Sequence, residues 1–390
     1  MSGRGKAEAL YPLLLQPQLH RRVWGGTWLE AFHGDEALTV HGPAGEPVGE
    51  SWLADGGSVV LNGPLAGRTV SELAALFGPD LIGTEAHERY GPRMPLLAKL
   101  LDAATALSVQ VHPDDAYALT EERGSGHLGK SEAWYVLYAE PGASVLWGFR
   151  QETTADAVRK AVASGTLPEL MQQVPVRPGS VVVNPAGTVH AVGAGIRLYE
   201  IQQASDLTYR LYDHGRTGAD GKPRELHLDK SLAVAELSGR PFTQQPATEL
   251  AGGWTRLVQR PEFVLDRARL VDGSTVQGAT DTKTLQLITL VSGAAELRPA
   301  AGSHTPWDAL SLEAGSTVLL PAALTPSGWP PGANGEGPGY ELTGHGELLR
   351  SSVPPPEAHA AHAPVATRVP SSEDRPDHGD APAGPERSER

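Results

Sequence analysis

The sequence predicts a mainly β protein made of small barrel units with helical insertions. Three observations carry this. Gly179-Ser-Val-Val-Val-Asn-Pro185-Ala-Gly187-Thr-Val-His190 reads as a turn glycine, a short apolar strand, a tight Pro-Ala-Gly reversal and a return strand. Leu107-Ser-Val-Gln-Val-His-Pro113 alternates apolar and polar residues with the period of a strand. Glu313-Ala-Gly315-Ser316-Thr-Val-Leu-Leu-Pro321-Ala322-Ala-Leu-Thr-Pro326 repeats the first pattern at a constant offset of 136 residues.

In chain order, Leu13 to Ala54 reads as short strands and turns, and Val70 to Phe77 as a helix opened by Thr69. In the 107–113 strand, Ser108, Gln110 and His112 share one face and Leu107, Val109 and Val111 the other. Pro113 ends that strand, and Asp114-Asp115 begins a turn or helix. Gly129-Lys-Ser-Glu132-Ala-Trp-Tyr-Val-Leu-Tyr138 opens another apolar strand, with Lys130 and Glu132 on the same parity at its mouth. Ala155 to Gln173 has apolar residues at helical spacing, interrupted by Gly165 and Pro168, and reads as a helix inserted between strands. Val181 to Val183 has the branching of a strand buried on both faces.

The stretch Arg240 to Gly253 is polar, with Pro241, Pro246 and Gly252-Gly253, and reads as a boundary. The expected division is a metal-binding unit over residues 1–245, a second unit over 254–350, and a disordered tail over 351–390 that is too poor in core residues to fold. In the repeat, Gly179 pairs with Gly315, Ser180 with Ser316 and Pro185 with Pro321, but His190 pairs with Pro326. The second unit also has a core strand, Leu285 to Gly293, without a Gln-x-His. It is therefore expected to keep the fold and lack the ligands. The Gly- and Pro-rich run Thr325 to Gly339 reads as an inserted loop.

Two imidazoles and a carboxylate, His112, His190 and Glu132, form a usual ligand set for a borderline divalent cation, and Gln110 would add a neutral amide oxygen. Such a site has a net charge near plus one and positions open for a substrate. The spacing G-x5-P-x-G-x2-H is similar to the second metal-binding motif of the cupin superfamily, small β-barrels with a metal inside. More broadly, the chain resembles the short bacterial class I (type I) mannose-6-phosphate isomerases. The resemblance runs through Val23-Trp-Gly-Gly26, Val48-Gly-Glu-Ser-Trp52, Met94-Pro-Leu-Leu-Ala-Lys99, Ser108 to Asp114, Gly129 to Glu132 and Pro185 to His190. It continues through Tyr199 to Asp206, Thr208 to Asp213 and Gly221 to His227, and covers roughly residues 10 to 350.

The resemblance implies a cupin-type barrel (a jelly roll) with helical insertions, followed by a second, degenerate cupin-like barrel. It implies zinc, one ion per chain, on Gln110, His112, Glu132 and His190, a catalytic role for Arg210, and an acid, Glu200, near the metal. The implied reaction interconverts mannose 6-phosphate and fructose 6-phosphate through a cis-enediol(ate). Arg210 suits the enediolate or the phosphate, or else a salt bridge with Asp206 or Asp213. Ser108 and Lys130, beside metal ligands, are candidates for the phosphate end. Lys99 is either a substrate contact or a satisfied structural lysine. For proton transfer, Glu200, His227 and a water on the metal all stay open.

Composition bounds the rest. There is no cysteine, which excludes disulfides, thiolate catalysis and cysteine-ligated zinc. A formal net charge of −14 argues against nucleic acid as a partner, so a sugar phosphate must find a local basic patch. No apolar run approaches the roughly 20 residues of a membrane span, and the basic start Met1 to Lys6 has no apolar stretch behind it. A cytoplasmic protein, monomeric or weakly homo-oligomeric, is expected. Two rival readings remain: a sugar-phosphate-binding cupin without catalysis, and a non-haem iron dioxygenase, because two histidines and a glutamate resemble the facial triad.

Overall fold

The structure, a computed structural model, describes residues 10–34, 38–218, 221–300, 307–324 and 339–354. The expected tail, the 325–338 loop and Pro326 fall outside the described residues, apart from the tail's first few positions. The described residues are mainly β, in three sheets of nine, seven and five strands.

The seven-stranded sheet runs from Val181–Asn184 through Glu132–Ala139, Ile196–Gln203, Leu96–Ala103, Val48–Ala54 and Gln18–Gly26 to Thr39–His41. The five-stranded sheet runs Tyr209–Tyr212, Val109–Val111, His190–Ala191, Ser144–Phe149, Met171–Pro175. Leu101, Trp134, Val136 and Leu198 of the first sheet share a buried cluster with Val145 of the second and with the neighbouring Leu107 and Val192. Two sheets thus face each other across a common interior, as a sandwich must to bury one face of each.

Within this frame the polar face of the 107–113 strand points inward: Ser108 and His112 are buried. A face of this kind is wet in most soluble proteins, and here it lines a site. Asp114 caps the helix Asp115–Thr120, its side chain accepting from the Tyr117 amide at 2.8 Å. Thr69 and Glu72 form a reciprocal capping box on Val70–Phe77. The helix expected over 155–173 is shorter than its apolar spacing suggests. It spans Ala155–Ser164 and ends at Gly165 in the left-handed conformation (φ 76°). A 3-10 turn, Leu167–Leu170, and the strand Met171–Pro175 follow.

The repeat is visible in space. Val181–Asn184 and Thr317–Leu320 are both strands, 136 residues apart. Each is preceded by a positive-φ glycine, Gly179 (86°) and Gly315 (96°). Each entry turn is closed by a serine: Ser180 Oγ accepts from the Arg177 amide and Ser316 Oγ from the Glu313 amide, both at 3.0 Å.

The N-terminal strand Leu13–Leu15 leaves the first sandwich and pairs with Thr317–Leu320 in the nine-stranded sheet. Leu13, Leu319 and Leu349 are buried in one cluster with Leu53, Tyr135 and Tyr199. Tyr135 Oη donates to Glu347 at 2.7 Å, and Tyr199 and Ser351 share a hydrogen bond of 3.2 Å. The two halves therefore share one buried cluster, beside which the C-terminal sheet has a second of its own. Leu319→Ala should cost about 2–5 kcal/mol. Calorimetry should show one transition moved to lower temperature, not a separate early unfolding of the C-terminal sheet.

Candidate metal centre

Glu132 is the first residue of its strand and is fully buried. Its place is set from both sides. Gly129 lies so close to the Asp114–Asp115 backbone that a Cβ would sit 2.4 Å from the Asp114 carbonyl carbon. The Lys130 amide donates to the Pro113 carbonyl at 3.0 Å, and the Gly187 amide to the His112 carbonyl at 2.8 Å. These bonds tie the Pro-Ala-Gly turn and the Glu132 segment to the end of the strand that carries His112.

Register brings the other groups together. His190 and Arg210 are the antiparallel partners of Gln110 on its two sides, so the three form a row across the five-stranded sheet. On the facing sheet, Trp134, Glu200, Lys99 and Trp52 form a second row.

Between these rows, His112 Nε2 lies 3.3 Å from Glu132 Oε2, and His190 Nε2 lies 3.1 Å from Glu132 Oε1. His112 Nδ1 is hydrogen-bonded to the Leu207 carbonyl at 2.9 Å and His190 Nδ1 to the Thr188 carbonyl at 2.8 Å. A carbonyl only accepts, so each Nδ1 carries the proton and each Nε2 presents a bare lone pair. His112 Nε2 is buried without a hydrogen-bond partner, and the buried Glu132 Oε2 has besides it only the Lys130 ammonium, at 3.2 Å.

Acceptors facing acceptors in a dry site fit a cation. Ligand atoms of all three residues lie within 4.8 Å of one another, and this is the only such group of three among the described residues. The 3.1–3.3 Å separations match those of donors on a tetrahedral zinc, about 3.3 Å for bonds of 2.0–2.1 Å. Gln110 reaches the same point, with Nε2 3.4 Å from His190 Nε2. Turning its amide end for end would present the oxygen instead. The chain's own residues therefore fit a divalent ion.

The electrostatics agree. Burial alone would raise the Glu132 pKa, but its neighbours, the Lys130 ammonium first among them, override it and hold the carboxyl well below its usual range. Burial, with Lys130, lowers His112 to about 3, against the pull of Glu132. Burial and the nearby Glu132 raise Glu200, partly offset by Lys99 and Lys130.

A cavity of about 330 Å³ opens beside this point, small for a ligand pocket (roughly 300–1,000 Å³). Of the residues singled out in the sequence, Ser108, Gln110, Lys130, Lys99, Glu200 and Arg210 line it, and His112, Glu132 and His190 lie next to it. Lys130 Nζ is 3.2 Å from Glu132 Oε2, which turns it toward the ligand end. Lys99 both lines the cavity and is ion-paired, 3.3 Å from Glu200 and 4.0 Å from Glu50. Arg210 forms neither of the salt bridges weighed for it. It donates to Ser108 Oγ (3.3 Å) and the Glu225 carbonyl (2.9 Å), while Asp213 is taken by Arg216 and Arg224. His227 does not line the cavity, and its Nδ1 accepts from the Arg210 amide at 3.1 Å.

Sequence reasoning gave no role at the site to Arg22, Glu50, Arg224 or Asn184, and weighed Asp206 only as a salt-bridge partner of Arg210. Arg22 and Glu50 form a two-pronged pair (3.1 and 2.8 Å) on the cavity wall. Asn184 is the strand partner of Glu132, with its amide 3.5 Å from Oε1. Arg22 shares the strand parity of Trp24, and Asn184 sits inside the best motif, so both carried a faint signal.

Residues 13–127 match the family model described as phosphomannose isomerase type I, catalytic domain. The mannose-6-phosphate isomerase of Streptococcus mutans serotype c is 34% identical over 319 residues, covering 80% of this chain and 93% of that one. The chain belongs to the type I phosphomannose isomerase family. Among solved structures of this family, the Bacillus subtilis mannose 6-phosphate isomerase superposes with a TM-score of 0.71 at 27% identity, over 87% of this chain and 99% of that one. A mannose 6-phosphate isomerase crystallised with zinc bound shares the fold (TM-score 0.65, 16% identity, 87% of this chain and 98% of that one).

The buried imidazoles set a pH dependence in the metal-free protein. His112 is lowered to about 3, and His20 and His33 to about 4, chiefly by burial. The unfolded chain protonates these groups below about 6.5, while the folded chain does not. It therefore binds more protons than the folded chain in that window. The stability contribution is full above about pH 6.5 and is lost as pH falls toward 4. Thermal melts of chelated protein between neutral pH and about pH 4 should show a steadily falling midpoint.

Proposed function

We propose that this protein is a zinc-dependent aldose–ketose isomerase that interconverts mannose 6-phosphate and fructose 6-phosphate through a cis-enediolate. The observation that carries this reading is the convergence of two bare imidazole nitrogens and a carboxylate beside a cavity lined by arginine and lysine. His112, Glu132, His190 and Gln110 would hold one zinc ion per chain. Bound there, zinc would supply a Lewis acid that lowers the cost of negative charge developing on the C1 and C2 oxygens.

The reaction opens the pyranose ring, removes the proton on C2 and returns it to C1. Glu200 is the group we assign to carry that proton. Its Oε2 accepts from Trp134 Nε1 at 2.8 Å and its Oε1 faces Lys99 at 3.3 Å, so its orientation is fixed. Burial raises its pKa toward the range in which a carboxylate can both take and give a proton. The Lys130 ammonium, beside Glu132, is placed for the oxygens at the reacting end, and Ser108 with Arg210 for the phosphate or the enediolate.

Residues 1–245 would supply this site, and residues 254–350 a second barrel that braces it without a metal. Among the described residues no helix is long and apolar enough to cross a membrane. A cytoplasmic enzyme, monomeric or weakly associated, is the reading we adopt.

The test is a coupled assay with mannose 6-phosphate before and after chelation and zinc add-back. Turnover should vanish on chelation, return with zinc, and be absent in His190→Ala. Turnover that survives both treatments would sink the metal mechanism, and zinc-loaded protein that binds the sugar phosphate without converting it would favour a binding role. Glu200→Gln should lower kcat by about 10²–10⁴-fold with zinc content intact, whereas His227→Ala should leave kcat within an order of magnitude. The opposite pattern would move the proton to His227.

A further inference from the structure

A hexose phosphate brings a nearly dianionic group into a chain whose net charge is −14, so some wall of the cavity must hold uncompensated positive charge. The wall formed by the seven-stranded sheet does not. There Arg22, Glu50, Lys99 and Glu200 alternate in sign and pair with one another, Arg22 with Glu50 and Lys99 with both glutamates. Lys130 is paired with Glu132.

The opposite wall differs. After the strand Tyr209–Tyr212 the chain turns at Asp213, a carboxylate only 5% exposed. Arg216 binds it through Nη2 at 2.6 Å and also donates to the Ala106 carbonyl, which fastens the turn to the segment leading into Ser108. Arg224 binds the same carboxylate through Nε (2.6 Å) and Nη2 (2.5 Å). One carboxylate thus serves two guanidiniums, and Arg224, held at Nε and Nη2, lines the cavity together with Arg210. Two carboxylates nearby do not neutralise the pair: Glu225 is 83% exposed and gives Arg210 only its carbonyl, and Asp206, which also lines the cavity, forms no ion pair with Arg210 or Arg224 among the described residues.

We propose that Arg224, oriented by Asp213, is a substrate-binding residue that forms, with Arg210 and Ser108, the subsite for the phosphate of the substrate. The inference deepens the sugar-phosphate reading of this cavity and rests on it. Two guanidiniums and a hydroxyl present the forked donors that a phosphoryl group accepts, and a guanidinium clamped by a buried carboxylate pays little ordering entropy on binding. Asp213 is a positioning residue: it fixes the Arg224 fork and never touches the substrate.

The experiment uses the zinc-loaded full chain, with Arg224→Gln and Arg224→Lys. The measurements are KM and kcat for mannose 6-phosphate, competitive inhibition by inorganic phosphate, equilibrium binding of inorganic phosphate, and zinc content. Arg224→Gln should raise KM and weaken phosphate inhibition by the same factor, about 10–100-fold for one lost charge-assisted contact. Its kcat should change much less, and its zinc content not at all. Arg224→Lys, which keeps the charge and loses the fork, should fall between.

Unchanged KM and unchanged phosphate inhibition in both variants would overturn the proposal. So would loss of zinc or of kcat without weaker phosphate binding, the pattern of a purely structural arginine. A zinc-loaded parent protein that does not convert mannose 6-phosphate, yet binds inorganic phosphate more tightly than Arg224→Gln does, would sink the isomerase reading and leave the anion subsite standing.

Discussion

The rest of the structure depends on one contact: a buried carboxylate, Glu132, facing two imidazole nitrogens that have no proton to offer it. Such an arrangement is unfavourable by itself, since an ionised carboxylate away from water needs compensation from its surroundings. Lys130 gives part of it at 3.2 Å and the Asn184 amide a weak contact at 3.5 Å. A divalent ion would give the remainder. The site is also stiff. Both imidazoles are pinned by backbone carbonyls, and the turn beside them is held by a Gly187 amide that bonds the His112 carbonyl. The imidazoles cannot turn away without breaking their hydrogen bonds to main-chain carbonyls, so the fold keeps the acceptors converged.

The same pleat that aims the ligands divides the cavity into two walls of different charge. Adjacent strands set Trp134, Glu200, Lys99 and Trp52 side by side on one wall and His190, Gln110 and Arg210 side by side on the other. On the first wall each cation has a carboxylate within 4.0 Å, which keeps it dry and rigid but leaves little charge for a ligand. On the second, Arg210 spends its donors on a hydroxyl and a carbonyl, both neutral. On the proposed reading an anion entering the cavity would be drawn toward the five-stranded sheet and its loop, and the wall carrying Glu200 would hold the proton. Binding and proton transfer can then be handled by opposite faces of one small space.

How much of this was legible in the sequence follows from how each residue is positioned. Gln110, His112 and His190 were readable because strand parity and a Gly-Pro turn fix side-chain direction within a few residues. The second copy of the turn was readable for the same reason, and the serine-closed turns at Ser180 and Ser316 show the match at atomic level. The helix over 155–173 was over-extended because apolar spacing continued past Gly165, whose left-handed backbone ended it. Arg22, Glu50 and Arg224 were missed because their roles come from pairing between positions 11 to 49 residues apart, as in Arg22–Glu50, Glu50–Lys99 and Asp213–Arg224. No local pattern encodes such pairing. The crossing of Leu13–Leu15 into the far sheet was likewise invisible, since three leucines fit any apolar surface.

The second barrel sharpens the argument for the first. It keeps the strand, the turn and the entry serine at the 136-residue offset. Its interior also holds a buried carboxylate, Asp266, which is 1% exposed. Yet Asp266 is bound by both Arg256 and Arg350, and Arg350 stacks 4.2 Å over the Trp254 ring. Gln286 nearby is satisfied at both ends, by the Ala279 carbonyl and the Tyr340 hydroxyl. Here the carboxylate has been given organic cations and the amide has been given partners, so around Asp266 and Gln286 no acceptors face one another unpaired. The difference between the two barrels lies less in which residues are polar than in which polar atoms remain unanswered. At His112 Nε2 the lone pair remains unanswered and at Glu132 Oε2 only the Lys130 ammonium answers, and a fold that pairs a buried carboxylate elsewhere with arginines leaves that gap where a metal ion would fit.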